Sequence, residues 1–67
     1  MKVESSAISE VTYQKKSENL YVTFKRDGAT YLYEDVPQEV YDEFMKADSK
    51  GIYFKNIIEP KYPHRKV

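Results

Sequence analysis

The sequence contains no cysteine and only one histidine among its 67 residues. Without cysteine, disulfides and thiolate metal sites are excluded, and the single His64 excludes a histidine-rich metal site. The chain therefore lacks the cross-links and metals that support many small folds, and we expect no cofactor. We also expect a thin core, because a chain of this size buries only about 60% of the surface that its unfolded form exposes.

Long apolar runs are missing as well. No stretch approaches the roughly 18 apolar residues that a membrane-spanning helix needs, and the first six residues have no apolar region of a secretory signal. The absence of cysteine is compatible with a reducing compartment. We therefore expect one soluble, cytoplasmic domain over residues 1–67 that does not associate with a membrane.

Charge is balanced in total but unevenly distributed. Eleven basic residues match eleven acidic ones. Residues 1–49 hold ten acids and six bases, a net charge of −4, whereas residues 50–67 hold five bases and one acid, a net charge of +4. This asymmetry indicates either a basic contact surface in the second segment or attraction between the two segments in the fold.

Apolar and aromatic residues alternate in three stretches, which predicts three strands at residues 8–13, 20–25 and 29–34. Ile8 is out of phase with Val11, which indicates a bulge or an irregular start in the first strand. Asp27-Gly28 predicts a two-residue type I′ hairpin loop, since that turn needs positive φ at both positions.

The predicted hairpin assigns side chains to the two faces of the sheet. A two-residue loop places Phe24 opposite Tyr31 and Val22 opposite Tyr33, and opposed residues share a face. We expect the core face to carry Val11, Tyr13, Leu20, Val22, Phe24, Tyr31 and Tyr33. The open face is expected to carry Thr12, Tyr21, Thr23, Lys25, Thr30 and Leu32.

Two helices are predicted after the strands. Val36-Pro37 begins the first, with Pro37 at its first position and an apolar stripe of Val40, Tyr41, Phe44 and Ala47. Ser49 is the expected N-cap of a second helix over residues 50–58, whose stripe is Phe54, Ile57 and Ile58. The sequence thus predicts an α+β fold, a three-stranded antiparallel meander followed by two helices packed on one face, with residues 60–67 as a basic C-terminal tail.

The order of these elements, taken with particular residues, resembles the KTSC domain family. The matching residues are Val3-x-Ser5-Ser6-x-Ile8, Val11-x-Tyr13, Leu20-x-Val22-x-Phe24, Gly28, Tyr31-x-Tyr33, Val36-Pro37-x-x-Val40-Tyr41, Ala47-x-Ser49-x-Gly51-x-Tyr53-Phe54 and Tyr62-Pro63-x-Arg65-Lys66. The resemblance implies a short module found alone in bacterial and phage proteins and at the C-terminus of some lysyl-tRNA synthetases. It implies RNA binding as a candidate function. Gln14 and Lys55 depart from the residues usual in the family.

Two groups of residues are candidates for binding nucleic acid or another anion. Ser49-Lys50-Gly51 begins a helix, and helix N-termini offer free N–H groups to phosphates, although a serine cap with a closely packed glycine explains the same residues. Lys55, Lys61, His64, Arg65 and Lys66 can contact phosphates or be merely solvated.

Aromatic residues on the sheet give a further pair of alternatives. Tyr31-x-Tyr33 is typical of base-stacking surfaces, but the hairpin register favours core packing for both rings. Tyr21 and Leu32 on the open face form a candidate interaction face, or are ordinary isolated surface residues.

Nothing in the sequence indicates catalysis. Ser5-Ser6 has no base or orienting acid nearby, so we expect no enzyme. The first hypothesis is a non-catalytic module that binds RNA or another polyanion through the second helix and the basic tail. The alternative is a protein-interaction or regulatory module that uses the open sheet face, with the chain a monomer or weak dimer.

Overall fold

The computed structural model describes residues 5–67, which form a four-stranded antiparallel sheet with helices on one face. The start of the chain and the Val3 position of the family motif lie outside these residues. The strands are β1 (Ile8–Gln14), β2 (Asn19–Phe24), β3 (Thr30–Tyr33) and β4 (His64–Lys66), and they lie side by side in chain order. The helices are α1 (Gln38–Lys46) and α2 (Lys50–Tyr53), and α2 runs directly into a π-helical segment (Phe54–Ile58).

The expected basic tail over residues 60–67 is wrong in part, because residues 64–66 form a fourth strand. Residues 64–66 pair with β3, and main-chain bonds extend the pairing on both sides, from the Glu34 N–H to the Pro63 carbonyl (3.0 Å) and from the Val67 N–H to the Thr30 carbonyl (2.9 Å). The side chains of β4 are exposed, so the strand has no apolar alternation that the sequence could reveal. Backbone hydrogen bonding at the sheet edge produces it.

The loop between β2 and β3 is longer than predicted. Gly28 has φ +69°, as expected, but Asp27 has no positive φ, which excludes a type I′ turn. The Asp27 carboxylate instead accepts a hydrogen bond from the Ala29 N–H (3.0 Å), and residues 25–29 connect the strands. The predicted two-residue loop is therefore wrong, because this side-chain-capped turn competes with the tighter one.

The longer loop shifts the register but not the faces. Val22 lies opposite Tyr31, and Leu20 lies opposite Tyr33. This is a shift of two residues from the prediction, and side chains alternate with a period of two, so every residue within β2 and β3 keeps its predicted face. Lys25, predicted at the end of the second strand on the open face, instead lies in the loop after β2. The β1–β2 register also shifts between Ile8 and Glu10, which confirms the bulge and brings Ile8 into the core beside Val11.

The first helix begins one residue later than predicted. Pro37 has ψ 153° and is the N-cap rather than the first helical residue, and its carbonyl accepts from the Val40 and Tyr41 N–H groups (3.0 and 3.2 Å). Tyr41 stacks on Tyr13 of β1 at 4.5 Å between ring centroids. The Tyr13 hydroxyl donates to the Val36 carbonyl at 2.6 Å, so the rings fix the helix against the sheet.

The second helix widens as it approaches the sheet. Ser49 is its N-cap, as predicted, and accepts from the Ile52 N–H at 3.4 Å. The Glu59 N–H bonds to the Phe54 carbonyl (2.8 Å), five residues back, which is the π-helical pattern. This winding buries Phe54 and Ile58 but leaves Ile57 41% exposed, so the expected apolar stripe is wrong at Ile57.

Candidate functional site

An open cleft of about 720 Å³ lies between the β2–β3 hairpin and the second helix, and one of its walls is aromatic. Phe54 meets Phe24 and Tyr33 edge to face, with ring centroids 5.3 and 5.0 Å apart. Tyr31 meets Phe24 in the same way at 5.7 Å. His64 of β4 stacks on Tyr33 at 4.8 Å and 21°, and its exposed imidazole extends the wall toward solvent.

Charged side chains form the rim of this cleft. Lys25, Arg26 and Lys55 line it together with one carboxylate, that of Glu59. Arg26 lies 3.9 Å from Asp27, but both groups are exposed, and such a pair contributes little in water. The rim therefore has a positive balance, with three cations against one anion among the lining residues.

Tyr33 is another residue that lines the cleft. The residue is only 2% exposed, yet its hydroxyl makes no hydrogen bond to another residue within 5–67. Every fully buried polar side-chain atom within residues 5–67 has a hydrogen-bond partner. The Tyr33 hydroxyl has none, so it must retain some contact with solvent. Burial, reinforced by the nearby Glu59 and Tyr31, raises the pKa of Tyr33 to about 12, so the hydroxyl keeps its proton at neutral pH. It is available to donate a hydrogen bond to a ligand.

The predicted anion site at the start of α2 lies in a smaller, adjoining cleft of about 530 Å³, which Ser49, Lys50, Gly51 and Lys55 line together. Gly51 and Lys55 line both clefts. The Lys50 ammonium donates to the Ala47 carbonyl at the end of α1 (3.4 Å), so its charge is directed at that helix end. A Cβ on Gly51 would lie 3.6 Å from the Ala7 Cβ, which is an ordinary contact, so close packing does not require glycine there. Ser49 and Lys50 thus act as the joint between the two helices.

The basic residues near the C-terminus do not converge. Because side chains alternate along β4, His64 and Lys66 share the helix-covered face of the sheet, whereas Arg65 lies on the open face. Lys61 precedes the strand in sequence, and its ammonium is 5.8 Å from the centroid of the Tyr62 ring. Of the predicted anion-binding residues, Lys55 and Gly51 line the large cleft, and Lys66 lies on the same sheet face as its aromatic wall.

The open sheet face offers less apolar surface than expected. Leu32 is only 4% exposed, because Tyr21 and Arg65 stand directly opposite it on the two neighbouring strands. Tyr21 is partly buried. The largest exposed apolar side chains within residues 5–67 are elsewhere, at Ile52 (63%) and Ile57 (41%) on the second helix and at Val67 (60%).

Sequence reasoning missed three members of the cleft. Lys25 and Arg26 flank the Asp27-Gly28 turn, where charged residues normally signify only a solvated loop. Glu59 was counted only as the single acid of a basic segment. The turn signal was visible in the sequence, but the approach of this loop to the second helix depends on tertiary packing.

The part of the chain that the structure describes has neither a cluster of metal ligands nor a membrane-spanning helix. No group of three or more His, Cys, Asp or Glu side chains within 5–67 is arranged to hold a metal ion. In the same range, no helix has the length and hydropathy needed to cross a bilayer.

Comparison with known proteins places this geometry in a family. The model of the KTSC domain matches residues 4–62, which confirms the resemblance read from the sequence. The crystal structure of a KTSC domain protein from Yersinia pestis superimposes with a TM-score of 0.95 at 36% identity and covers 100% of this chain and 93% of that one.

Two relatives by sequence differ in size. A protein of Tsukamurella paurometabola is 42% identical over 60 residues, which are 90% of this chain and 88% of the relative. A lysine–tRNA ligase of Nostoc punctiforme is 34% identical over 62 residues, 92% of this chain but only 11% of the ligase. The same fold unit therefore occurs both as a small protein and as a minor part of a larger one.

Proposed function

The chain belongs to the KTSC domain family, and from that premise we propose that it is a non-catalytic module that binds single-stranded RNA in the large cleft. The observation that carries the proposal is the combination of an aromatic wall with a cationic rim. Proteins that bind single strands use positive grooves for the phosphates and aromatic rings for the bases. Lys25, Arg26 and Lys55 supply the first element, and Tyr31 and His64 supply the second.

The dimensions of the cleft suit such a ligand. Its volume of about 720 Å³ lies within the ~300–1,000 Å³ range of small-ligand sites, which is ample for one or two unstacked bases. Lys66, on the same sheet face as Tyr31, extends the positive surface along the edge of the sheet.

The occurrence of a similar region in a lysine–tRNA ligase supports an RNA ligand. That protein is named for an activity on tRNA, and a module with a cationic cleft rim would increase affinity for RNA through phosphate contacts. This support comes from the protein in which the similar region occurs, and it agrees with the positive charge of the cleft rim.

Salt dependence of binding tests the proposal. We expect a fluorescently labelled nine-residue oligouridine to bind with a log–log salt slope of roughly −2, since three cations each contribute about −0.7 for single strands. Affinity should therefore fall roughly 20-fold between 50 and 200 mM salt. No measurable binding at 50 mM salt would contradict the proposal.

Charge reversal locates the interface. Lys55→Glu and Arg26→Glu should each weaken binding and reduce the salt slope, because each removes a phosphate contact. Lys16→Glu is the matched control, since Lys16 is also exposed but lies in the turn at the other end of the β1–β2 hairpin. An equal loss in all three variants would indicate non-specific attraction rather than this cleft.

A protein-interaction module is the second candidate function. The observation that favours it is the exposure of Ile52 and Ile57 on the second helix, rather than the predicted Tyr21 and Leu32 pair. An apolar interface would respond weakly to salt, whereas phosphate contacts respond steeply. Binding of a protein partner that Ile52→Ser abolishes and 200 mM salt does not weaken would favour this alternative.

A further inference from the structure

Two polar groups in the cleft have no role in phosphate binding. The Glu59 carboxylate lines the cleft although its charge repels phosphates. Among residues 5–67 the only ion pair is that of Arg26 and Asp27, so Glu59 is not committed to a neighbouring cation within that range. Tyr33 lines the same cleft, and its hydroxyl has no hydrogen-bond partner within residues 5–67. Glu59 is near enough to this hydroxyl to help raise its pKa. A strong acceptor and a donor are thus presented together beside the aromatic wall.

This pair matches the edge of a nucleobase. A carboxylate accepts at two oxygens, and a tyrosine hydroxyl donates one hydrogen bond. Bases in single strands are read by hydrogen bonds along their Watson–Crick edges while their faces stack on aromatic rings. Guanine offers two neighbouring N–H donors, from N1 and N2, beside the O6 acceptor. Adenine, cytosine and uracil offer the carboxylate one N–H group on that edge and therefore use only one of its oxygens.

We propose that the cleft is selective for guanine, with Glu59 accepting from the guanine N1 and N2 N–H groups and Tyr33 donating to O6. The inference rests on the proposed function, since it assigns the base that the RNA-binding cleft prefers. His64 and Tyr31 provide the stacking surface, and Lys25, Arg26 and Lys55 hold the flanking phosphates. Tyrosine hydroxyls are protonated at neutral pH, so Tyr33 can act as a donor.

The test compares four nine-residue RNAs that differ only at the central base, which is G, A, C or U in an oligouridine background. Fluorescence anisotropy at about 50 mM salt, where phosphate contacts are strong, gives the Kd of each. We expect the G-containing strand to bind about fivefold or more tightly than the other three, the lower end of what one bidentate contact to a base edge provides.

Variants then identify the residues that read the base. Glu59→Gln should abolish the preference for G, so that the four strands bind with similar Kd values, because the single amide oxygen cannot accept from both guanine N–H groups. Tyr33→Phe should reduce the preference in part and keep the buried ring. Glu43→Gln is the matched control, because Glu43 is exposed on α1 and does not line the cleft, and it should retain the full preference.

Each result decides one point. Equal Kd values for the four strands would overturn guanine selectivity and leave RNA binding intact. A preference for G that survives in Glu59→Gln would overturn the role of Glu59. Failure of all four strands to bind would overturn the proposed function together with this inference.

Discussion

Replacing Tyr33 separates the structural role of its ring from the binding role of its hydroxyl. The ring is 2% exposed, packs edge to face against Phe54 at 5.0 Å and stacks on His64 at 4.8 Å. Tyr33→Ala should lower the free energy of unfolding by about 3–5 kcal/mol, as for other buried aromatic residues. The free energy of unfolding of a 67-residue domain is roughly 3–10 kcal/mol, at about 0.05–0.15 kcal/mol per residue. The substitution therefore removes about a third or more of the stability.

Tyr33→Phe should behave differently. The hydroxyl has no hydrogen-bond partner within residues 5–67, so its removal should change the free energy of unfolding by less than about 0.5 kcal/mol. Urea unfolding followed by far-UV circular dichroism measures both variants, because the chain has no tryptophan to report by fluorescence. Tyr21→Ala, on the open face and partly exposed, is the comparison and should cost less than Tyr33→Ala.

Two outcomes would refute this reasoning. A loss below about 1 kcal/mol for Tyr33→Ala, the average for any substitution, would mean that the ring is not part of the core. An equally large loss in Tyr33→Phe would mean that the hydroxyl is bonded inside the fold and is not available to a ligand.

The other predictions concern the hairpin, the helix joint and pH. Gly28→Val should lower the free energy of unfolding by about 1–2 kcal/mol, because φ is +69° at Gly28. Asp27→Asn keeps the acceptor for the Ala29 N–H and should leave the free energy of unfolding nearly unchanged in the same urea titration. Ser49→Ala should cost about 1 kcal/mol by loss of the N-cap, a result that an unchanged urea midpoint would contradict. Stability should fall as pH rises from 10 toward 12, because folded Tyr33 keeps its proton to about pH 12 whereas an unfolded tyrosine loses it near 10. Tyr33→Phe should reduce this decline without removing it, because burial also raises the pKa values of Tyr13 and Tyr53; urea midpoints at pH 9, 10 and 11 measure it.

The faces of the sheet were predictable from the sequence, and its edges were not. Alternation along β2 and β3 identified Val22 and Tyr33 as core residues because the period of two survives a register error of two. The loop was mispredicted since Asp27-Gly28 is compatible with more than one turn. The fourth strand was not predicted, because its exposed side chains show no alternation of apolar and polar residues. Main-chain hydrogen bonds alone produce it.

The candidate site was predictable in part. Lys55 was identified from the basic composition of its segment, and it does line the cleft. Arg26 and Glu59 are 33 residues apart in sequence and lie in the same cleft only because the hairpin loop folds toward the second helix. Arg65 and Lys66, in contrast, are adjacent in sequence but lie on opposite faces of the sheet, because side chains alternate along β4.

The central claim is that the cleft between the hairpin and the second helix binds single-stranded RNA. Amide and side-chain NMR shifts of the labelled protein, recorded as unlabelled nine-residue oligouridine is added, test it most directly. We expect saturable shift changes at Lys25, Arg26, Lys55 and His64, and little change at Tyr21 and Arg65 on the open face. Changes confined to the open face, or none at about 50 mM salt, where phosphate contacts are strongest, would contradict the account.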